Sequence, residues 1–174
     1  GSGTDTITTG AGADTVVVSL GTDGADASIS IITDFTGLAG GDQLDVDVQT
    51  TGTESLTETA VQLTTGSGVD NGDFIVYTGG NTIDVSGTNA ADLAAINTAL
   101  FDADAIKLSN DAVIIFSADT DGDGTGDEVQ VWGVGETGGT ASDADYAVQL
   151  AVFSNVNASD DLAGKFVLAN FDVI

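Results

Sequence analysis

Gly1-Ser2-Gly3-Thr4-Asp5-Thr6-Ile7 is followed nine residues on by Gly10-Ala11-Gly12-Ala13-Asp14-Thr15-Val16, and Gly21 and Asp23 keep two positions of a third copy. Each residue type has a physical task in such a repeat. Glycine adopts the positive φ of a tight turn without steric cost and lets backbone carbonyls face a cation. Asp supplies a hard carboxylate oxygen of the kind calcium prefers. The aliphatic residue two positions later, Ile7 or Val16, starts a short strand and points inward. The spacing predicts parallel coils joined by calcium, with Gly1, Gly3, Asp5, Gly10, Gly12, Asp14, Gly21 and Asp23 at the ion-binding turns. A Gly/Asp-rich hairpin turn that duplicated is the plainer alternative.

Working outward, Ile29-Ser30-Ile31-Ile32-Thr33-Asp34-Phe35 alternates as a strand does, and Gly40-Gly41-Asp42-Gln43-Leu44-Asp45-Val46-Asp47-Val48 turns and returns as a second one. The repeats, with Ile32, Asp34, Phe35, Gly41, Asp42, Leu44 and Asp45 after them, resemble the repeats-in-toxin (RTX) family of secreted bacterial proteins. The resemblance implies a short parallel β-roll at its closing end, the tail of a longer array. Asp34 and Asp42 would complete its last calcium sites. Successive nonapeptides of a roll lie on opposite sides, so Asp5 and Asp23 would share one edge and Asp14 the other.

Composition narrows the partners. The 28 acidic residues outnumber the two basic ones, Lys107 and Lys165, for a net charge of −26. Such a surface repels nucleic acid and anionic membranes and attracts cations. A halophile's surface would also be acidic. Asp outnumbers Glu by 24 to 4, however, and short Asp side chains suit ion-binding turns better than they suit mere solubility. With no Cys or His there are no disulfides and no thiolate or imidazole metal sites. No apolar run reaches the roughly 18 residues of a membrane helix, and no positively charged segment followed by an apolar run begins the chain.

The expected fold class is mainly β: the β-roll over residues 1–48, continuing into an antiparallel β-sandwich-like domain over 49–174 with one amphipathic helix. Residues 49–60 and 66–73 read as loops. Phe74–Tyr77 and Thr82–Val85 suggest a hairpin around Gly79-Gly80-Asn81. The helix runs from Asn89 to Phe101, capped by Thr88 or Asn89, with Ala90, Leu93, Ala94, Ile96, Ala99 and Leu100 as an apolar stripe for packing on a sheet. Ala112–Ser117, Glu128–Gly133 and Tyr146–Phe153 read as strands, and Ser159–Ala163 as a helical turn.

Between two of those strands lies Asp119-Thr120-Asp121-Gly122-Asp123-Gly124-Thr125-Gly126-Asp127. Carboxylates at positions 1, 3, 5 and 9 with Gly at 6 follow the ligand order of a calcium hand. Position 12 is Gln130 instead of a bidentate Glu, and strands flank the loop, so the expectation is a calcium-binding hairpin loop using Asp119, Asp121, Asp123, Thr125 and Asp127. A polar turn serving geometry alone is the alternative. The loop also resembles those in the C-terminal regions of RTX proteins.

Without His, Cys or Arg, most nucleophilic and general-base chemistry is missing, and the chain reads as non-catalytic. The ending Asp172-Val173-Ile174 resembles the uncleaved C-terminal signal of type I secretion substrates. The resemblance thus implies a calcium-binding C-terminal module of a secreted, cell-surface-associated protein. Its partners would be calcium ions and the type I secretion apparatus, with self-association possible at the cell surface. A subunit of a calcium-dependent surface layer (S-layer) or filament, and the non-catalytic tail of an RTX enzyme or adhesin, are the alternatives.

Overall fold

A computed structural model describes residues 3–19, 29–37, 40–47, 60–63, 74–77, 82–87, 89–101, 112–135, 143–159, 162–166 and 170–173. Among these residues, eleven strands and one α-helix follow in chain order: β1 (Asp5–Ile7), β2 (Thr15–Ser19), β3 (Ser30–Ile32), β4 (Gln43–Asp47), β5 (Ala60–Leu63), β6 (Phe74–Tyr77), β7 (Ile83–Asp84), α1 (Asn89–Leu100), β8 (Ala112–Asp119), β9 (Glu128–Gly135), β10 (Tyr146–Phe153) and β11 (Phe171–Val173). The protein is mainly β.

Two sheets organise the described residues. The larger has the order β1-β3-β10-β9-β8-β6-β5, with β7 also on β8, and the smaller has the order β11-β4-β2. The first four strands alternate between them. β1 and β3 pair in parallel in the large sheet, and β2 and β4 in the small one. Ile7, Val16 and Val18 reach the same core from opposite sheets, as the inward-pointing aliphatic of each repeat requires. The coil is longer than the repeat implies: the register sets Asp5 beside Ser30 and Thr15 beside Gln43. The strand that pairs with β1 thus lies 25 residues on, where two nonapeptides to a coil would put it 18 on. Asp23, with Gly1 and Gly21, lies outside the described residues. β3 and β4 do not form a returning pair, because the turn at Gly40 (φ 84°) carries the chain from one sheet to the other.

The large sheet is mixed. Among the described residues only β8–β9 and β9–β10 run antiparallel, which corrects the expectation of an antiparallel second half. The hairpin expected from β6 and β7 is also absent. Both strands run parallel to β8 on successive stretches of one edge, Phe74–Val76 beside Val113–Ile115 and Ile83–Asp84 beside Ala118–Asp119. β3 pairs with β10 and β4 with β11, so strands from both sides of residue 48 meet in both sheets.

The near-continuous apolar run of β8 follows from a strand covered on both faces. Val113 and Ile115 enter one core with Val129, Val131, Phe74 and the small sheet, while Ile114 and Phe116 enter a second with Ile75, Trp132 and α1. A bulge between Gln149 and Ala151 lets Leu150 and Ala151 both face the first core. There Phe35, Phe153 and Phe166 pack as tilted rings at centroid distances of 4.4 Å (Phe35–Phe153) and 5.4 Å (Phe153–Phe166). Leu162–Gly164 forms a 3₁₀ turn, a little beyond the helical turn expected at 159–163.

The helix packs on the sheet as expected, but through fewer residues. Ile96 and Leu100 are buried, as is Asp92 one turn earlier, while Ala90, Ala94 and Ala99 are exposed and Leu93 half-buried. Thr88 lies outside the described residues. Among the described residues, no helix is long and apolar enough to cross a membrane.

Candidate metal centre

Gly3, Gly10 and Gly12 have φ of 110°, 98° and 136°, the left-handed turn geometry that the repeat demands of them. The two carboxylates that follow the ladder, Asp34 and Asp42, accept mainly from backbone N–H groups. The Thr9 N–H donates to Asp34 Oδ1 at 2.9 Å and the Gly10 N–H to Asp34 Oδ2 at 2.8 Å. The Asp14 N–H donates to Asp42 Oδ1 at 3.0 Å and the Thr36 N–H to Asp42 Oδ2 at 2.7 Å. Asp34 and Asp42 thus clasp the turns of the preceding coil. The N–H groups of Thr9 and Gly10, with the Thr9 hydroxyl, hold the Asp34 carboxyl below its ordinary pKa of 3.8. Asp42 is fully buried. Asp5 is exposed on β1, and Asp14 Oδ2 is buried without a hydrogen-bond partner.

At the tip of the β8–β9 hairpin the chain draws carboxylates together. Asp119 ends β8, and the Asp127 N–H donates to the Ala118 carbonyl at 2.8 Å, closing the loop. One oxygen from each of Asp119, Asp121 and Asp127 lies within 4.8 Å of the others; this is the one such group among the described residues. Oxygens around an ion at about 2.3–2.6 Å fall within that span. All three are hard donors, so the set fits calcium chemistry. Asp123 is not in the group. Its Oδ1 accepts from the N–H and hydroxyl of Thr125, and Asp121 Oδ1 accepts from the Asp123 N–H at 3.1 Å.

The loop is shaped before any ion is considered. Asp119, 2% exposed, accepts from the N–H of Gly122 at 2.6 Å and of Asp121 at 3.2 Å on one oxygen, and from Gly124 at 2.7 Å on the other. Burial alone would raise its pKa. The N–H groups of Gly124, Gly122, Asp121 and Asp123 outweigh that and hold it below the ordinary value. Gly122 and Gly124 make this wrapping possible at φ 79° and 87°. The N–H and hydroxyl of Thr120 donate to Asp127 Oδ2 at 2.9 and 2.7 Å and lower its pKa. Asp119 Oδ1 and Asp127 Oδ2 each take two of these bonds, while Asp119 Oδ2 takes one and keeps a lone pair, so the bonds orient the carboxylates and leave part of their acceptor capacity for an ion.

Thr120 went unnoticed in the sequence; its place directly after the first loop Asp was the signal. Gln130, at position 12, is turned away: it donates to Glu128 and accepts from the Trp132 indole N–H, each at 2.6 Å. The chain matches no family model, no curated protein and no solved structure.

Proposed function

We propose that this chain is a calcium-binding module of a secreted, RTX-type bacterial surface protein, with loop 119–127 as its principal ion site. The observation that carries the reading is the convergence of Asp119, Asp121 and Asp127 at the hairpin tip. Three carboxylates there repel one another unless a cation sits among them. Asp119 anchors the set, while exposed Asp121 and Asp127 leave the ion an open approach. The glycine turns of the ladder and the alternation of β1 to β4 between two parallel-paired sheets support a β-roll end.

The proposed role is a folding switch set by compartment. Where calcium is scarce, the 26 excess negative charges keep the chain expanded enough for a type I exporter. Outside, millimolar calcium fills sites with dissociation constants of about 10⁻⁴ M, and a site at tenfold its dissociation constant adds about 1.4 kcal/mol. Melting curves in calcium, magnesium and chelator at one ionic strength test this. Stabilisation by calcium alone is expected, because magnesium demands a tighter shell; three coincident curves would end the reading. Self-association into a surface layer is a second reading, favoured by β2, which ends the strand order of the small sheet among the described residues and exposes Val17. Calcium-dependent growth in light scattering, lost in Val17→Thr, is its test.

A further inference from the structure

Loop 119–127 is gripped from one side by residues 82–87, and those residues lead directly into α1. β7 pairs with the last two residues of β8, Ile83 with Ala118 and Asp84 with Asp119. The Val85 N–H donates to the Asp119 carbonyl at 2.9 Å, and the Thr82 hydroxyl to the Gly124 carbonyl at 3.4 Å. A methyl group on Gly122 would sit 3.4 Å from Ser86 Oγ, and one on Gly126 2.9 Å from Thr82 Cγ2, so the two segments lie in close contact along the loop.

The same six residues are fixed on their other side to the helix. Asp84 Oδ1 accepts from the N–H and hydroxyl of Ser86 at 3.0 and 2.6 Å, holding the turn. The Gly87 N–H donates to Asp92 Oδ1 at 3.1 Å, and a methyl on Gly87 would meet Ala91 Cβ at 2.8 Å. Ile83 packs in one core with Ile96 and Leu100. The loop's carboxylates do not require this arrangement, since they are wrapped by the loop's own N–H groups.

We propose that residues 82–87 are a strap coupling the acidic hairpin loop to the first turn of α1, so that order in the loop is transmitted to the helix. With calcium as the trigger this rests on the ion-site reading above; the mechanical link does not. The strap turns a local binding event at the hairpin tip into a change on a separate surface of the protein, which is what a calcium-responsive module needs if a partner is to sense the ion.

Hydrogen–deuterium exchange on the whole chain tests it, following the amides of 119–127, of 89–92 and, as an internal control, of β10. If local opening is linked to binding, calcium at a hundredfold its dissociation constant slows exchange by up to about 100-fold. Loop and first-turn amides are expected to slow together, far more than those of β10, and Thr82→Val is expected to weaken the response of 89–92 while that of the loop persists. Slowing of the loop with no change at 89–92 overturns the strap and leaves the ion site standing. If calcium changes nothing, the ion-site reading fails, and Asp119→Asn in chelator decides the strap. Faster exchange in the loop and in 89–92 together supports it; faster exchange in the loop alone overturns it.

Discussion

Replacing Asp42 by Ala separates two roles for the ladder-end carboxylates. The side chain is fully buried and accepts from the N–H groups of Asp14 at 3.0 Å and Thr36 at 2.7 Å. Ala leaves both donors in place without acceptors, at about 1–3 kcal/mol for each unsatisfied group. The expected loss is therefore roughly 2–6 kcal/mol, a large share of the roughly 5–15 kcal/mol that holds a typical domain. In a domain of this size about 4 kcal/mol lowers the melting temperature by roughly 8–16 °C. Asp42→Asn should lose less, since its one carbonyl oxygen satisfies one donor while its amide faces the other. The assay is urea unfolding at saturating calcium, with calcium stoichiometry measured on the folded variant. A backbone clasp predicts the loss of stability with every ion retained. A loss below about 1 kcal/mol refutes the clasp, because unmade hydrogen bonds at a buried site cost more than that; so does the disappearance of one bound calcium, which belongs to the ligand role that the RTX resemblance implied.

Phe166→Ala removes a ring that touches Phe35, Phe153 and Phe171, and urea unfolding should show a loss of about 3–5 kcal/mol. Gly37→Ala would place a methyl 1.8 Å from the Lys165 carbonyl oxygen, so backbone must move; its cost should reach or pass the top of the roughly 1–3 kcal/mol range for overpacking, and near-wild-type melting would contradict that packing. Asp92→Asn should stabilise at neutral pH. Burial, with the Asp84 charge adding to it against the Gly87 N–H, raises the Asp92 pKa above 3.8. The contribution of Asp92 to stability is therefore full below the unfolded value and is lost as pH rises through the folded one. Melts from pH 3 to pH 7 should show an advantage for the Asn variant that shrinks towards acid; an advantage that grows towards acid would reverse the sign.

The elements most readable in the sequence are those set by local pattern. The hairpin of β8 and β9 around an Asp/Gly loop, the helix from Asn89 and the strand at Tyr146–Phe153 all follow from period and turn chemistry over short stretches. Pairing was less legible, because it depends on what the rest of the chain brings alongside. β6 and β7 look like a hairpin in isolation, yet the edge of β8 offers both a parallel place. The same reason governs the carboxylates. Asp42 meets an N–H donor 28 residues away, a partner that no spacing announces. Within loop 119–127 the sequence named the carboxylates, and it could not reveal that the hydrogen bonds of Thr125 hold Asp123 away from the other three. Asp92 falls on the buried face with Ile96 and Leu100, where helical periodicity alone would have put an apolar residue.

Calcium titration of the intact chain, set beside Asp121→Asn/Asp127→Asn, tests the central claim most directly. Asn keeps an oxygen for the N–H groups of Asp123 and Thr120 and removes the charge, so the turn survives while the cation loses two of its three carboxylates. By calorimetry the wild type should bind calcium with a dissociation constant of about 10⁻⁴–10⁻³ M. The variant should bind one ion fewer, with its melting temperature in chelator no lower than that of the wild type. A wild type that binds no calcium, or a variant that binds just as many ions, would contradict the account.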